Sequence, residues 1–352
     1  MAYTTIKKPS DYFNTLLWTG NSSTQSITGN DFIADLTWSK TRSNAESHIL
    51  MDTVRDAGTT LNQQIKSDSS SLEGILNNSS TLTVNSTGFD LSGTTGGPLN
   101  FNGYTYATWL WKAGGNTGVS NSDGSTASTV NVNTTSGFSI VRYTGPGGAS
   151  TVGHGLGSAP KVVIVKSITS NLGWRVYHYS VGATKTLYLN ESNAATTDSL
   201  VWNNTAPTST VFSIGSASEV SADYSDFIAY CFSEVKGFSK FGSYTGNGST
   251  DGTFVYTGFK PAFVIVKRTD LANDWNMQDT KRQLYNGQDG VSLHANAFSS
   301  EAGIGTGYEV DYLSNGFKRR NAGSETNASG GTYIYMAFAE EPLVGDNPAT
   351  AR

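Results

Sequence analysis

Charged side chains are scarce: 14% of the 352 residues are Asp, Glu, Lys or Arg, and 23 basic against 28 acidic residues leave a net charge of −5. The basic residues are scattered, so nothing draws in a phosphate backbone, which excludes a nucleic-acid binder. A single cysteine, Cys231, excludes an intrachain disulfide, and packing alone must hold the fold. Flanked by Ile228, Ala229, Tyr230 and Phe232, it reads as a small core hydrophobe rather than a nucleophile. No apolar run reaches the about 18 residues of a membrane-spanning helix. The start carries Lys7 and Lys8 but no apolar segment that would act as a signal peptide. A soluble product made in the cytoplasm is the expectation.

Catalytic constellations are equally thin. The four histidines, His48, His154, His178 and His294, form no His-X3-His or Glu-flanked pair, so no metal site is expected. No Gly-X-Ser-X-Gly elbow occurs, and carboxylate pairs such as Glu340 with Glu341 or Asp223 with Asp226 lack an apolar setting that would separate two pKa values. Gly145-Pro-Gly-Gly148 reads as a turn, and Lys318-Arg319-Arg320 as a solvated rim. The expectation is a protein that is not an enzyme and takes no cofactor.

What is abundant is turn and strand material. There are 39 glycines, many Ser, Thr and Asn residues, and 11% aromatics, the composition of short strands joined by turns. Tracts such as Val162, Val163, Ile164 and Val165 are too apolar to stay solvated, which argues against disorder. Apolar at every position, that tract predicts a strand buried on both faces.

Three landmarks recur in order. An aromatic precedes Thr-Gly at Trp18, Tyr143 and Tyr244; an apolar strand closes on Lys40, Lys166 and Lys267; an aromatic-rich strand ends each unit at residues 106–111, 227–232 and 333–338. Phe89, Phe212 and Phe317 precede the last of these. Eight residues after each lysine stands His48, Trp174 or Trp275, and twelve after it Asp52, His178 or Asp279. Such self-similarity marks a repeated structural unit. The fold class expected is all-β: three repeated antiparallel β-sandwich domains of the concanavalin-like or jelly-roll kind.

The lysines are separated by 126 and then 101 residues, which places an excess of 25 residues in a linker. The boundaries predicted are an N-terminal attachment arm over 1–14, a first repeat over 15–112, a Gly/Ser/Asn/Thr-rich flexible linker over 113–137, a second repeat over 138–236, a third over 237–342, and a tail over 343–352. Repeats two and three, abutting at Gly237, are expected to pack as a pair. The near-helical spacing of Leu72 and Leu76 predicts a short helix over 67–77, peculiar to the first repeat.

Trp174, Trp275, His178 and Asp279 are the candidate ligand-binding residues. One reading makes them core and strand-end packing; the sharper one makes the two tryptophans stacking platforms for a carbohydrate at the ends of loops.

The start Ala2-Tyr-Thr-Thr-Ile6 with Asp11-Tyr-Phe13, and Gly153-His-Gly-Leu-Gly-Ser-Ala-Pro160, resemble a domain of unassigned function found in predicted virion proteins of marine tailed phages, notably cyanophages. So do Trp202-Asn-Asn-Thr205, Tyr244-Thr-Gly-Asn-Gly-Ser249 and Pro348-Ala-Thr-Ala-Arg352. Asp35-Leu-Thr-Trp38 departs from the repeat where the other units carry Val and Ile. The resemblance implies a virion surface protein of tail-fibre, appendage or adaptor type, with capsid decoration and a carbohydrate-binding module or weak glycanase as alternatives. Other virion proteins, further copies of the chain as a homotrimer, and a host cell-surface glycan are the partners implied, and no catalytic residue comes with the family.

Overall fold

Strand signals outnumber all others in this chain, and the structure follows them. The computed structural model describes residues 4–77, 80–93, 98–115, 117–283, 286, 290–303, 307–344 and 348–350. It is nearly all β, 43% strand and 4% helix, in several antiparallel sheets.

Three of these sheets share one strand order. An opening strand (Phe13–Thr19, Phe138–Thr144, Ser239–Thr245) pairs with a closing strand (Thr105–Trp111, Asp226–Phe232, Thr332–Pro342). The closing strand pairs with the lysine strand (Leu36–Thr41, Val162–Ser167, Phe259–Arg268), and that with a flanking strand (Ile49–Asp52, Arg175–His178, Trp275–Asp279). Register is equivalent too, with Trp18 opposite Tyr106, Tyr143 opposite Phe227 and Tyr244 opposite Tyr333.

The aromatic-Thr-Gly landmark has a physical cause. Each of its aromatics stacks on the closing-strand ring at 4.9, 5.2 and 5.0 Å between centroids, and meets Phe89, Phe212 or Phe317 edge-on. The glycine that follows lies under the turn leading into the closing strand. A Cβ on Gly20, Gly145 or Gly246 would stand 2.2, 2.1 or 2.3 Å from a backbone carbonyl oxygen of Phe101, Ala222 or Ala328. Only glycine permits that approach.

The alternation of side chains along the lysine strand divides the cores. Val163 and Val165 face outward, onto a core shared with the small pair Ser150–Gly153 and Val211–Ile214. Val162 and Ile164 face inward, and their inner core also contains Leu36 and Trp38 of the first sheet and Phe263 and Ile265 of the third. The tract is thus buried on both faces, as its composition predicts. At the centre, the equivalent closing-strand residues Trp111, Phe232 and Phe338 each meet the other two edge-on, with centroids 6.4, 5.8 and 5.7 Å apart. Each such pair is worth about 0.5–1.5 kcal/mol beyond the area it buries. The second and third sheets therefore do not pack as a separate pair, since all three meet in one core.

Several expected boundaries are corrected. The 113–137 stretch is no loose linker: Val119–Asn121 and Ser128–Asn133 add two strands to the second sheet, and Asn131 bonds the buried Asp35 of the first. The alternation Val130-Asn131-Val132 was the strand pattern that its composition obscured. Within the predicted arm, Ile6 and Phe13 belong to the inner core and anchor it there, while Thr5, Lys7 and Lys8 are exposed; residues 1–3 lie outside the described set. In the tail, the Ala349 amide bonds the Pro342 carbonyl, while 345–347 and 351–352 are not described. No α-helix forms over 67–77. Gly74–Ile75 is a short strand, and of the spaced pair Leu76 is buried while Leu72 is exposed, so the two do not share a buried helical face. Arg319 is not on a solvated rim either: it is fully buried against Gln278 Oε1 at 2.7 Å.

Candidate functional site

The residues eight positions past each lysine lie where one sheet unit meets the next. The Trp174 indole of the second unit donates to the Lys66 carbonyl of the first at 2.9 Å, and the Trp275 indole of the third donates to the Tyr188 carbonyl of the second at 2.8 Å. The His48 ring of the first meets the His294 carbonyl of the third at 2.9 Å. Since the Trp38 indole donates to His48 Nδ1 at 2.9 Å, the His48 proton sits on Nε2 and is the donor. Burial, with the Lys40 charge next, holds this imidazole well below its ordinary pKa. The contacts run second to first, third to second and first to third, and so close a ring.

Twelve positions past the lysine, a second ring runs the other way. Asp52 of the first unit accepts from the Tyr230 phenol of the second at 2.8 Å, and Asp279 of the third accepts from the Trp109 indole of the first at 3.0 Å. In the remaining joint the closing strand offers Met336, equivalent to Trp109 and Tyr230, which has nothing to donate. There the second unit carries not an aspartate but His178, whose Nε2 bonds the Tyr335 carbonyl at 3.2 Å. A carboxylate stands where its neighbour supplies a donor, and a neutral imidazole where only a carbonyl is available. This matching accounts for the pattern Asp52, His178, Asp279.

The three lysines are caged by carbonyls. Each Nζ donates to the carbonyl of its own next residue, at 2.7, 2.7 and 3.0 Å for Lys40, Lys166 and Lys267. Lys166 also reaches the Ser70 carbonyl of the first unit, and Lys267 the Ser192 carbonyl of the second. Burial pushes all three amines down to about 8.

The carbohydrate reading of the four candidates is therefore corrected. Trp174, Trp275, His178 and Asp279 are 0%, 2%, 1% and 0% exposed, because each occupies a joint between units and leaves no ring face for a sugar. The cavity between the three inner faces holds about 20 Å³ and is lined by residues such as Trp38, Ile164 and Trp275, too little space for a ligand.

A family model described as "Domain of unknown function (DUF7483)" matches residues 8–342. The chain belongs to the DUF7483 family. The match runs through all three sheets as one unit. A comparison with curated proteins finds no match.

Within this DUF7483 chain, sequence reasoning passed over two features. One is Asp-Thr-X-Arg, present at Asp52 to Arg55 and at Asp279 to Arg282. Each arginine pairs with its aspartate, at 2.5 and 2.6 Å, and with a second carboxylate, Glu73 or Glu301, each at 2.9 or 2.8 Å. Glu301 also binds Arg42 of the first unit at 2.8 Å, tying a third-unit loop across the joint. Repetition of the motif at one repeat position was the signal available. The other is a group of Asp274, His294 and Glu325, whose ligand atoms lie within 4.8 Å of one another. Separations of 20 and 31 residues hide it from any motif search.

Proposed function

We propose that this chain is a non-enzymatic surface component of a tailed-phage particle, of the tail-fibre or appendage kind, whose three fused β-sandwich repeats act as one rigid knob. The closed double ring of contacts carries the reading. Particle appendages follow closed symmetry, and a chain that is cyclic within itself offers three related loop ends from one body. The resemblance of its repeat motifs to a domain of marine-phage virion proteins supports the same reading. A homotrimer of such chains would form through outer surfaces, since the inner faces are already covered.

Host contact in this reading falls to Tyr224. It is 87% exposed and sits at φ 57°, in the turn before the second closing strand. The equivalent turn residues of the other units are glycines, Gly103 and Gly330, at φ 77° and 73°. A bulky residue in the left-handed region costs roughly 1 kcal/mol, and strain of this kind is retained where function needs it. An exposed tyrosine ring offers a stacking face for a surface glycan. The test is Tyr224→Gly: melting should be unchanged or raised while adsorption of particles to host cells falls. Antibody labelling of purified particles tests the wider reading, and absence of the protein from them would overturn it. Labelling confined to heads would favour capsid decoration, and turnover of a bacterial glycan a glycanase.

A further inference from the structure

The second and third units can be superposed residue by residue through their hydrogen bonds. The Tyr143 phenol donates to the Val220 carbonyl and the Tyr244 phenol to the Thr326 carbonyl, at 2.8 and 2.6 Å, which makes their preceding residues Glu219 and Glu325 equivalent. The Trp174 and Trp275 amides donate to Asn190 and Asn296 side chains, each at 2.8 Å, which makes Tyr188 equivalent to His294, two residues earlier. Gly173 and Asp274 precede these tryptophans, and Arg175 and Asn276 follow them.

In the second unit a guanidinium fills the space so defined. Arg175 pairs with Glu219, lies 4.5 Å over the Tyr188 ring, and stands 3.0 Å from where a Cβ on Gly173 would be. In the third unit that cation is gone. Asn276 is uncharged and donates its amide to Ser292 Oγ at 2.7 Å, while the three surrounding positions have become Asp274, His294 and Glu325. His294 Nε2 and Glu325 Oε2 face each other at 3.2 Å, two buried atoms with no aligned hydrogen-bond partner, while the Tyr308 phenol bonds the Glu325 carboxylate. One carboxylate thus remains, and a second has been added, where the matching cation has been removed. Lys267, whose amine feels the charges of Asp274 and Glu325, is already held by three carbonyls.

We infer that Asp274, His294 and Glu325 bind a divalent transition-metal ion, of the zinc or manganese kind, which replaces in the third unit the guanidinium of Arg175 in the second. Two carboxylate oxygens and an imidazole nitrogen suit such ions, whereas calcium and magnesium prefer oxygen alone. Ligand atoms around zinc at about 2.1 Å stand ~3.4 Å apart. The His294–Glu325 gap already has nearly that width. Asp274 Oδ1 accepts from Asn296 Nδ2 at 2.6 Å, an outer contact that orients it. The ion ties the loop after the third lysine strand to the strand Leu293–His294 and to the turn before the closing strand. Because the His294 carbonyl accepts from His48, it also stiffens the joint between third and first units.

The test uses the full chain, purified without a chelator or histidine tag, then stripped with EDTA and titrated with zinc chloride or manganese chloride. One ion should bind per chain and raise the melting temperature by several degrees. The paired change Asp274→Gly with His294→Tyr installs the residues of the second unit, and should weaken binding at least tenfold and abolish the melting shift. Adding Asn276→Arg to that pair should restore metal-free melting. Should the pair fail to fold, Glu325→Gln is read by the same titration. Absence of binding by the stripped wild type, or binding that these substitutions leave unchanged, overturns the inference.

Discussion

The phenol of Tyr230 donates to the carboxylate of Asp52 at 2.8 Å, across the boundary between the first and second sheets. Both residues are fully buried, and the same Asp52 Oδ2 also accepts from Arg55 Nε at 2.5 Å. Burial, then the Asp52 charge, pushes the phenol well above its ordinary pKa, so it stays a donor.

Removing one donor and removing the charge should differ in size. Tyr230→Phe leaves the Asp52–Arg55 pair intact and should cost about 1–2 kcal/mol. Asp279→Ala strips Arg282 of its closest buried partner, leaving Glu301, and should cost about 3–5 kcal/mol. Urea unfolding of both variants checks the order; equal costs would show that the pair contributes no more than one hydrogen bond.

The two tryptophans of the sequence reading have become the keystones of joints. Trp174→Ala and Trp275→Ala should each lower stability by about 3–5 kcal/mol, as loss of a buried indole does. Measured by thermal melt beside adsorption, each should lose both together. An adsorption defect with unchanged melting would return these rings to the surface.

The shared strand order of the three sheets was legible because its landmarks are steric: a glycine under a turn and an aromatic stack cannot be exchanged freely, so Gly20, Gly145 and Gly246 stand out in one sequence. The all-β class followed from composition, and the doubly buried Val162–Val165 tract from its being apolar at every position. What could not be read was the mutual arrangement of units. Trp174 is an aromatic at a loop end whether it faces water or the Lys66 carbonyl, and only the partner 108 residues away decides. The metal-type cluster was hidden for the same reason. Asn131 was missed because six residues of alternating pattern were outweighed by the glycine- and serine-rich stretch around them.

The neutral imidazole at the one unmatched joint makes stability acid-sensitive. His178 Nδ1 accepts from the Ser180 amide at 3.2 Å and Nε2 meets the Tyr335 carbonyl, so the folded protein holds the neutral ring. Burial lowers its pKa to about 4 from an ordinary 6.5. Between these values the unfolded chain binds more protons, so stability rises with pH through this window and is lost as pH falls from 6.5 towards 4. The loss is on the order of 3 kcal/mol at most. Asp56, raised to about 6 by burial, acts with opposite sign and is common to any variant. The stability of wild type minus that of His178→Gln, measured by urea unfolding between pH 4 and 7, should therefore increase with pH; a flat difference would refute the assignment.

Three repeats of roughly 100 residues, as the sequence predicts, would ordinarily be expected to fold one by one. Here each sheet covers its inner face only with the other two. Cut free, the second unit would expose Ile140, Val162, Ile164, Trp174, Tyr230 and Phe232, all of which belong to the shared core. Each aromatic among them buries about 150–250 Å², and at about 25 cal/mol per Å² the loss is of the same order as the whole stability of a domain. The polar joints fail with it, since Lys166 would lose the Ser70 carbonyl and Tyr230 its aspartate. The full chain should accordingly unfold in one calorimetric transition, with calorimetric and van't Hoff enthalpies in agreement. Residues 113–237 alone should bind a hydrophobic dye and give a poorly dispersed amide spectrum. Three resolved transitions, or a well-dispersed spectrum from that fragment, would mean that the shared core is a contact between finished domains rather than the structure that makes them fold.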